Sequence, residues 1–214
     1  MDKQADSHKP KGRKRGPLAP NAEMWEAFKK GPGLRELLSD FYTRVFADDR
    51  LSPFFHEVSK EWAIGKQYNF LCSIFTGERV YFGARPRNAH HWMVIDDDLF
   101  DYRERLMEES LRRYGLSEPL IEQFIALDEA FRKQIVKTTP RPIKVEGVEL
   151  PMDGYEKLVM PLSTVCDQCE AEIAMGEQAY HHIRTGHAFC EPCHFELLQQ
   201  DSPPLADMTG DTSG

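Results

Sequence analysis

The feature that most constrains this chain is a run of aromatic and polar residues between Phe41 and His90. Apolar side chains recur there at spacings of three and four, the pattern that places them on one face of a helix. Tyr42, Gln67 and His90 lie within or beside this pattern and offer hydrogen bonds or a metal ligand. A buried amide without a partner costs about 1–3 kcal/mol, so Gln67 should have a partner or a function. The run therefore predicts packed helices around a pocket with few polar groups.

Length and composition describe a soluble protein with more than one unit. A chain of 214 residues allows one ordinary domain and a small additional module. The hydrophobic fraction of 41% and the charged fraction of 29% are typical of a globular protein. No apolar run approaches the ~20 residues that span a bilayer. The polar, basic N-terminus lacks the apolar segment of a secretory signal. We therefore expect a cytoplasmic protein without a membrane segment.

The chain divides into five predicted regions. Pro, Gly and charged residues dominate both ends, which favours disorder there, and cysteines mark a separate region near the C-terminus. The regions are a disordered basic leader at 1–20, a helical domain at 21–139, a connector at 140–162, a cysteine module at 163–200 and a disordered tail at 201–214.

Apolar periodicity and helix-ending residues predict the elements of the helical domain. The predicted helices run from about Asn21 to Lys30, from about Gly33 to the break at 48–50, from about Lys60 to Phe75, from Asp97 to Tyr114, and from Ser117 through Phe131 and Ile135. A compact corner is expected at 51–55 and a short helical turn around His90. In the connector, residues 143–145 and 148–150 are predicted to form a hairpin.

Charge is unevenly distributed along the chain. The leader carries a net +4 from Lys3, Lys9, Lys11, Arg13, Lys14 and Arg15 against Asp2 and Asp6. Since the whole chain carries −8, the remainder carries −12. A basic arm could contact nucleic acid, but an acidic body repels phosphates and the arm has no interleaved aromatic residues. A solvated leader is therefore the preferred interpretation, and no nucleic-acid partner is expected.

The polar residues of the helical domain suggest a haem pocket. One face of the helix at 60–75 carries Ala63, Gln67, Phe70, Leu71 and Ile74. Gln67 and the Tyr42 phenol could direct donors at a small polarised ligand such as haem-bound dioxygen, and His90 offers a metal-binding imidazole. Each residue alone is more often structural. Their order and spacing together favour the haem interpretation.

Residues from about Met24 to Lys137 resemble the truncated haemoglobins, most closely the first group of that family. The segment 41–55 looks like the B helix and CD corner, while Gly65-Lys66-Gln67 and Tyr81-Phe82-Gly83 resemble the E helix and EF loop. His90, with Ile95 and Phe100, matches the proximal histidine and the start of the G helix. The resemblance implies a mainly α fold, the two-over-two helical sandwich. A small zinc-binding module of a β-hairpin and a helix is expected to follow it, on the separate evidence of the cysteines.

The resemblance also implies haem b as cofactor and assigns roles around it. His90 would be the proximal iron ligand, and His91 is expected to point elsewhere. Tyr42 and Gln67 would be distal donors, because Ala63 stands where many globins have a distal histidine or leucine. The remaining residues expected to contact haem are Phe55, Phe70, Leu71 and Ile95.

The sequence departs from the family at its glycine positions. The first glycine pair stands here as Gly31-Pro32-Gly33, and the second glycine-rich site is reduced to Gly77. These departures are expected to shift loops without removing the pocket.

A second metal is predicted from two Cys-x-x-Cys pairs. Cys166, Cys169, Cys190 and Cys193 form two knuckles separated by twenty residues, long enough for a hairpin that brings them to one tetrahedral ion. The spacer is predicted to turn at Thr185-Gly186, and Cys193 to open a helix from His194 to Gln200. The pattern looks like a treble-clef or LIM-like zinc finger with a structural Zn²⁺. Alternatives are disulfides, which a reducing cytoplasm disfavours, a redox-active zinc switch, and His187 or His194 in place of one cysteine.

Three functions follow from these features. The first is a haem protein that binds dioxygen, nitric oxide or carbon monoxide, for oxygen binding or for nitric oxide detoxification to nitrate with an external reductase. The second is a gas or redox sensor that signals through the zinc finger to a protein partner. The expected partner is a protein rather than DNA, because the module carries four acidic residues that would repel phosphates: Glu170, Glu172, Glu177 and Glu191. The third is a globin fold without haem, which the joint presence of His90, Tyr42, Gln67 and Phe55 disfavours.

Overall fold

The computed structural model describes residues 19–145 and 147–200. The disorder predicted for residues 1–18 and 201–214 lies outside the described residues. No helix in the described part of the chain is long and apolar enough to cross a membrane.

The first two-thirds of the described chain are helical. The helices are α1 (Ala22–Ala27), α2 (Pro32–Phe46), α3 (Lys60–Thr76), α4 (Pro86–Ala89), α5 (Asp97–Tyr114), α6 (Glu118–Glu129) and α7 (Arg132–Ile135), with a 3₁₀ turn at Ser52–Phe55. The mainly α-helical prediction for this region is therefore confirmed.

Capping residues define the ends of the longest helices. Ser59 accepts a hydrogen bond from the Trp62 backbone N–H at 3.1 Å and starts α3, and Asp96 accepts one from Leu99 at 2.8 Å and starts α5. Gly77 and Gly115 end α3 and α5 in the left-handed conformation, with φ of 77° and 89°. The predicted bounds of α5 agree with the structure because both of its end signals are local.

Two predicted helices are shorter than expected. The first ends at Ala27 because Lys29 and Lys30 adopt φ of 54° and 56°, which an α-helix does not allow. The last does not continue through Phe131, since α6 ends at Glu129 and α7 is a separate turn. This break lets the Arg132 guanidinium reach carboxylates of α5, including Asp101 at 2.5 Å.

The core lies between the pair α2 and α3 and the pair α5 and α6, with α2 also packed on α5. Its largest fully buried side chains include Phe28, Phe41 and Phe124. The Phe28 ring, 0% exposed, contacts those of Phe75, Tyr114 and Phe124 with centroids 5.5–6.3 Å apart. Burial of each such ring contributes on the order of 2–3 kcal/mol. This core fixes α3, which carries Gln67, against α2, which carries Tyr42.

The C-terminal third is built from short antiparallel strands and one helix. The predicted hairpin is present as β1 (Lys144–Val145) and β2 (Val148–Glu149). A three-stranded sheet has the order β3 (Tyr155–Val159), β6 (Gln178–His182) and β7 (Ala188–Phe189), and β4 (Thr164–Val165) pairs with β5 (Glu172–Ile173). The segment predicted as a connector thus contributes β3 to the sheet. Helix α8 (Glu191–Gln200) starts before Cys193, so the prediction that Cys193 opens this helix is wrong.

Two helical glycines should respond oppositely to alanine. A Cβ at Gly33 would lie 1.9 Å from the Tyr114 hydroxyl and 2.9 Å from the Phe28 carbonyl oxygen, whereas one at Gly65 has no neighbour within 4 Å. We expect Gly33→Ala to lower the free energy of unfolding by about 1–3 kcal/mol, and Gly65→Ala to raise it by up to about 1 kcal/mol. Urea denaturation measures both. The destabilisation by Gly33→Ala should be smaller in a Tyr114→Phe background. Equal effects of Gly33→Ala and Gly65→Ala on the free energy of unfolding would contradict the close packing of Gly33 against Tyr114.

Candidate functional site

His90 is held in one orientation at the end of helix α4. Its Nδ1 lies 2.8 Å from the Pro86 carbonyl oxygen, so Nδ1–H donates and Nε2 keeps its lone pair. Burial lowers the pKa of His90 to about 4, against the opposing effect of that hydrogen bond. The ring is therefore neutral at pH 7. A neutral imidazole with a fixed orientation is the form that coordinates iron.

The loop after His90 is anchored to the end of the helical region. The Lys137 ammonium donates to the His90 carbonyl oxygen at 2.6 Å, and Ile95 and Lys137 exchange backbone hydrogen bonds of 3.2 and 2.7 Å. Burial lowers the pKa of Lys137 to about 8. Sequence reasoning missed Lys137, because its partner is a backbone oxygen 47 residues away and no local pattern marks it.

The predicted distal donors form a pair. The Tyr42 hydroxyl donates to Gln67 Oε1 at 2.7 Å, so the two polar side chains predicted to interrupt the apolar faces satisfy each other. Burial raises the pKa of Tyr42 to about 12, so the phenol stays protonated and remains a donor. Because the Gln67 carbonyl faces the phenol, its amide N–H groups are the end that can meet a ligand.

Aromatic rings enclose the Tyr42 side chain. The rings of Phe41, Phe46 and Phe55 lie with centroids 5.2–6.3 Å from that of Tyr42, in edge-to-face contacts. Phe55 comes from the 3₁₀ corner, as predicted for a residue that borders the pocket. Leu71 and Ala63, expected to contact a cofactor, are 1% and 4% exposed and belong to the main core.

The half-buried Arg103 cation acts on the pKa of both Tyr42 and His90. The guanidinium of Arg103 on α5 pairs with Asp128 and lies 4.9 Å from the centroid of the Phe41 ring. Its charge lowers the pKa of both Tyr42 and His90, although burial dominates at each. Both groups therefore lie within electrostatic range of Arg103. Sequence reasoning missed Arg103, since arginines on an amphipathic helix are usually solvated.

An open cleft of about 430 Å³ lies along the second half of α3. Phe70, Ile74 and Phe131 form its apolar wall, and Arg79 and Arg85 lie at its polar edge. This volume is within the range of about 300–1,000 Å³ found for small-molecule sites. Of the predicted cofactor contacts, Phe70 lines this cleft.

The four module cysteines converge on one point. The sulfur atoms of Cys166, Cys169, Cys190 and Cys193 all lie within 4.8 Å of one another, and Cys169 and Cys190 are 3.8 Å apart. In a tetrahedral site with Zn–S bonds of about 2.3 Å, sulfurs are about 3.8 Å apart. His187 and His194 lie outside this cluster, with His187 bonded to Thr185 at 2.8 Å and His194 stacked on Tyr180 at 3.8 Å.

Backbone N–H groups stabilise a thiolate in this cluster, the form that binds a cation. Burial opposes ionisation of the Cys166 thiol, but backbone hydrogen bonds from Cys169, Cys190 and Gln168 outweigh it and lower its pKa to about 7. Burial and the neighbouring sulfurs raise the pKa of Cys193. A divalent metal would remove that penalty, because it stabilises several thiolates at once.

Comparison with known proteins assigns the helical domain. The family model described as bacterial-like globin matches residues 24–137, more than half of the chain. The chain belongs to this family. It is 32% identical over 91 residues to the group 1 truncated hemoglobin GlbN of Synechocystis sp., covering 41% of this chain and 73% of that protein. It is 29% identical over 93 residues to the group 1 truncated hemoglobin of Tetrahymena thermophila, covering 44% of this chain and 77% of that protein.

A solved structure supports the same fold. The 2/2 hemoglobin of Synechococcus sp. PCC 7002, solved in the cyanomet state with covalently attached heme, superimposes with a TM-score of 0.50 at 22% identity. The match covers 53% of this chain and 97% of that one. The resemblance to group 1 truncated haemoglobins is therefore confirmed for the globin, whereas residues 138–200 lie outside the matched family model.

Proposed function

We propose that this truncated haemoglobin holds haem b at His90 and binds dioxygen or another diatomic gas beside Tyr42 and Gln67. The observation that carries the proposal is the neutral His90 imidazole, whose Nδ1 is held by the Pro86 carbonyl oxygen, and the hydrogen-bonded pair of Tyr42 and Gln67 supports it. Membership of the globin family supports the same conclusion.

The described residues fit this cofactor. His90 Nε2 would be the iron ligand, and Phe55, Phe70 and Ile95 would supply apolar contact with the porphyrin, close to Leu71 and Ala63. Arg79 and Arg85 at the polar edge of the cleft suit its propionate carboxylates. Haem would supply an iron centre that binds a gas. Because His90 is neutral at pH 7, no proton has to leave it before iron binds.

The distal residues determine which ligands are favoured. Tyr42 stays protonated at neutral pH, and its hydrogen bond holds the Gln67 amide in place. A ligand that gains negative charge, such as dioxygen, would be stabilised more than carbon monoxide by the Gln67 amide N–H groups, which Tyr42 holds in place. Oxidation of nitric oxide to nitrate is a reaction consistent with such a site, and it would need electrons from a separate reductase.

We propose further that the cysteine cluster holds one structural Zn²⁺. The sulfur spacing matches a tetrahedral site, and four protein ligands leave no position for a substrate. The module core consists of Cys166, Ile173, Ala179, Phe189 and Cys193. Because two of these are cluster cysteines, we expect the metal to supply much of the module's folding free energy.

Removal of the proximal imidazole tests haem binding. Purified wild-type protein should show a strong Soret absorption band after expression with haem precursor or addition of hemin, and His90→Ala should lose most of it. His56→Ala is the matched control, because this imidazole is exposed at the end of the 3₁₀ turn and its loss should leave the Soret band in place. A wild-type protein that stays colourless in hemin would refute the proposal.

Removal of the distal donors tests gas stabilisation. Each lost hydrogen bond is worth about 0.5–1.5 kcal/mol, so Tyr42→Phe and Gln67→Leu should each speed dioxygen dissociation by about 2–12-fold. Stopped-flow spectroscopy of the ferrous protein measures this rate. Carbon monoxide dissociation, which depends less on donors, serves as the internal control. An unchanged dioxygen rate in both variants would contradict a distal role for the pair.

Metal analysis tests the zinc proposal. The purified protein should contain about one equivalent of zinc, and Cys169→Ser should lower both the zinc content and the zinc affinity. Cys72→Ser is the matched control, because Cys72 lies on α3 outside the cluster and should leave the zinc content unchanged. Equal zinc content in the two variants would exclude the cysteine cluster as the site.

A further inference from the structure

We propose that the C-terminal module is a metal-dependent clamp on the haem pocket, acting through the turn at residues 183–187. This docking turn contacts the loop that follows His90 and the helix that carries Gln67. The inference rests on the proposed haem and zinc sites and goes beyond them. It makes the zinc occupancy of the module a regulator of the globin.

The first contact is made beside the candidate iron ligand. His91 Nε2 lies 3.1 Å from the Ile183 carbonyl oxygen, and the His91 side chain is only 2% exposed. The Arg141 backbone N–H donates to the His91 carbonyl oxygen at 2.8 Å. The residue after His90 is thus fixed by the module and by the segment that leads to it. A shift of the docking turn would act on the His90 backbone through one peptide bond.

A second contact involves Arg184 of the docking turn. Its guanidinium pairs with Glu57, which follows the 3₁₀ corner, and lies 5.1 Å from the centroid of the Trp92 ring. Trp92 in turn packs against Phe54 of that corner, with ring centroids 6.1 Å apart. Arg184 therefore joins the corner that carries Phe55 to the loop that follows His90.

The third contact reaches the helix that carries Gln67. The His187 ring packs on that of Trp62 at the start of α3, with centroids 4.6 Å apart, and the Lys66 ammonium lies 4.9 Å from the Trp62 ring centroid. The docking turn therefore touches the elements that carry the proximal ligand and a distal donor.

Hydrogen bonds connect the cysteine cluster to the strand that follows the docking turn. The turn joins β6 to β7, and His182 donates a backbone hydrogen bond to the His187 carbonyl oxygen at 2.8 Å. Asp167 lies between the two cysteines of the first knuckle. Its backbone N–H donates to the Ala188 carbonyl oxygen at 2.9 Å, and its carboxylate accepts from the Ala188 N–H at 2.7 Å. Cys190 follows β7 directly. Both knuckles therefore hold the strand that leaves the docking turn.

The two units differ in what makes them stable. The globin has a large apolar core of its own, whereas the core of the module includes two of the cluster cysteines. Loss of zinc should loosen the module first and remove the partners of His91, Trp92 and Trp62. The coupling must be reciprocal, since a metal that strengthens haem binding is itself bound more tightly when haem is present.

Equilibrium binding to the full-length chain tests the clamp. We expect the zinc dissociation constant, measured by competition with a calibrated chelator, to be at least about fivefold lower in haem-loaded than in haem-free protein. The haem dissociation constant should rise by the same factor when zinc is stripped, and the Fe–His stretching band in resonance Raman spectra should shift. Equal zinc affinities with and without haem would overturn the proposal.

A variant at the docking turn separates coupling from loss of either site. Arg184→Ala should keep one equivalent of haem and of zinc, yet reduce the dependence of each affinity on the other, since the His91 and His187 contacts remain. Arg112→Ala is the matched control, because Arg112 pairs with Glu108 and Glu118 and should keep the wild-type dependence. Undiminished coupling in Arg184→Ala would show that the Arg184 contact does not transmit it.

Hydrogen exchange distinguishes failure of the clamp from failure of the haem proposal. In haem-free protein, stripping zinc should speed amide exchange at residues 91–95 and in the first turn of α3, where the docking turn makes its contacts. Protein that binds no haem but shows this change would refute the haem site and keep the clamp. Protein that binds haem and shows no change at these amides would refute the clamp alone.

Discussion

The pocket depends on the hydrogen bond between the His90 ring and the Pro86 carbonyl oxygen. This bond fixes which ring nitrogen carries the proton and which keeps a lone pair. It forms because α4 is a single helical turn. His90 caps the C-terminal end of this turn, and Pro86 is its first residue. Lys137 fixes the same residue from the backbone side. These two contacts orient the imidazole, and burial keeps it neutral.

The helical region encloses several polar side chains, and those nearest the candidate site are paired in ways that offset their burial. Tyr42 bonds Gln67, and Arg103 pairs with Asp128 while it lies over the Phe41 ring. An isolated buried group of this kind would cost several kcal/mol. Burial keeps Tyr42 protonated and His90 neutral. The Arg103 cation adds to this effect at His90 and opposes it at Tyr42.

The C-terminal module has much less apolar core than the globin. Its strands are short and its apolar core is small, so the proposed metal at the four sulfurs would replace much of the packing that a larger domain has. The docking turn places this module against the loop after His90 and the start of α3. We propose that the stability of the module and the geometry of the haem site are linked through these contacts.

The sequence alone determined the local structure and the chemistry of the candidate sites. Asp96 and Gly115 set the ends of α5, the cysteine spacing predicted one cluster, and the order of Tyr42, Gln67 and His90 indicated the globin pocket, because each signal lies within a few residues or in a family pattern. Tertiary structure alone decided the partners. Arg103 with Asp128, Lys137 with the His90 carbonyl oxygen and His91 with Ile183 are joined across 25, 47 and 92 residues. The packed core fixes such contacts, since a side chain's partner depends on which helices and strands lie together in space.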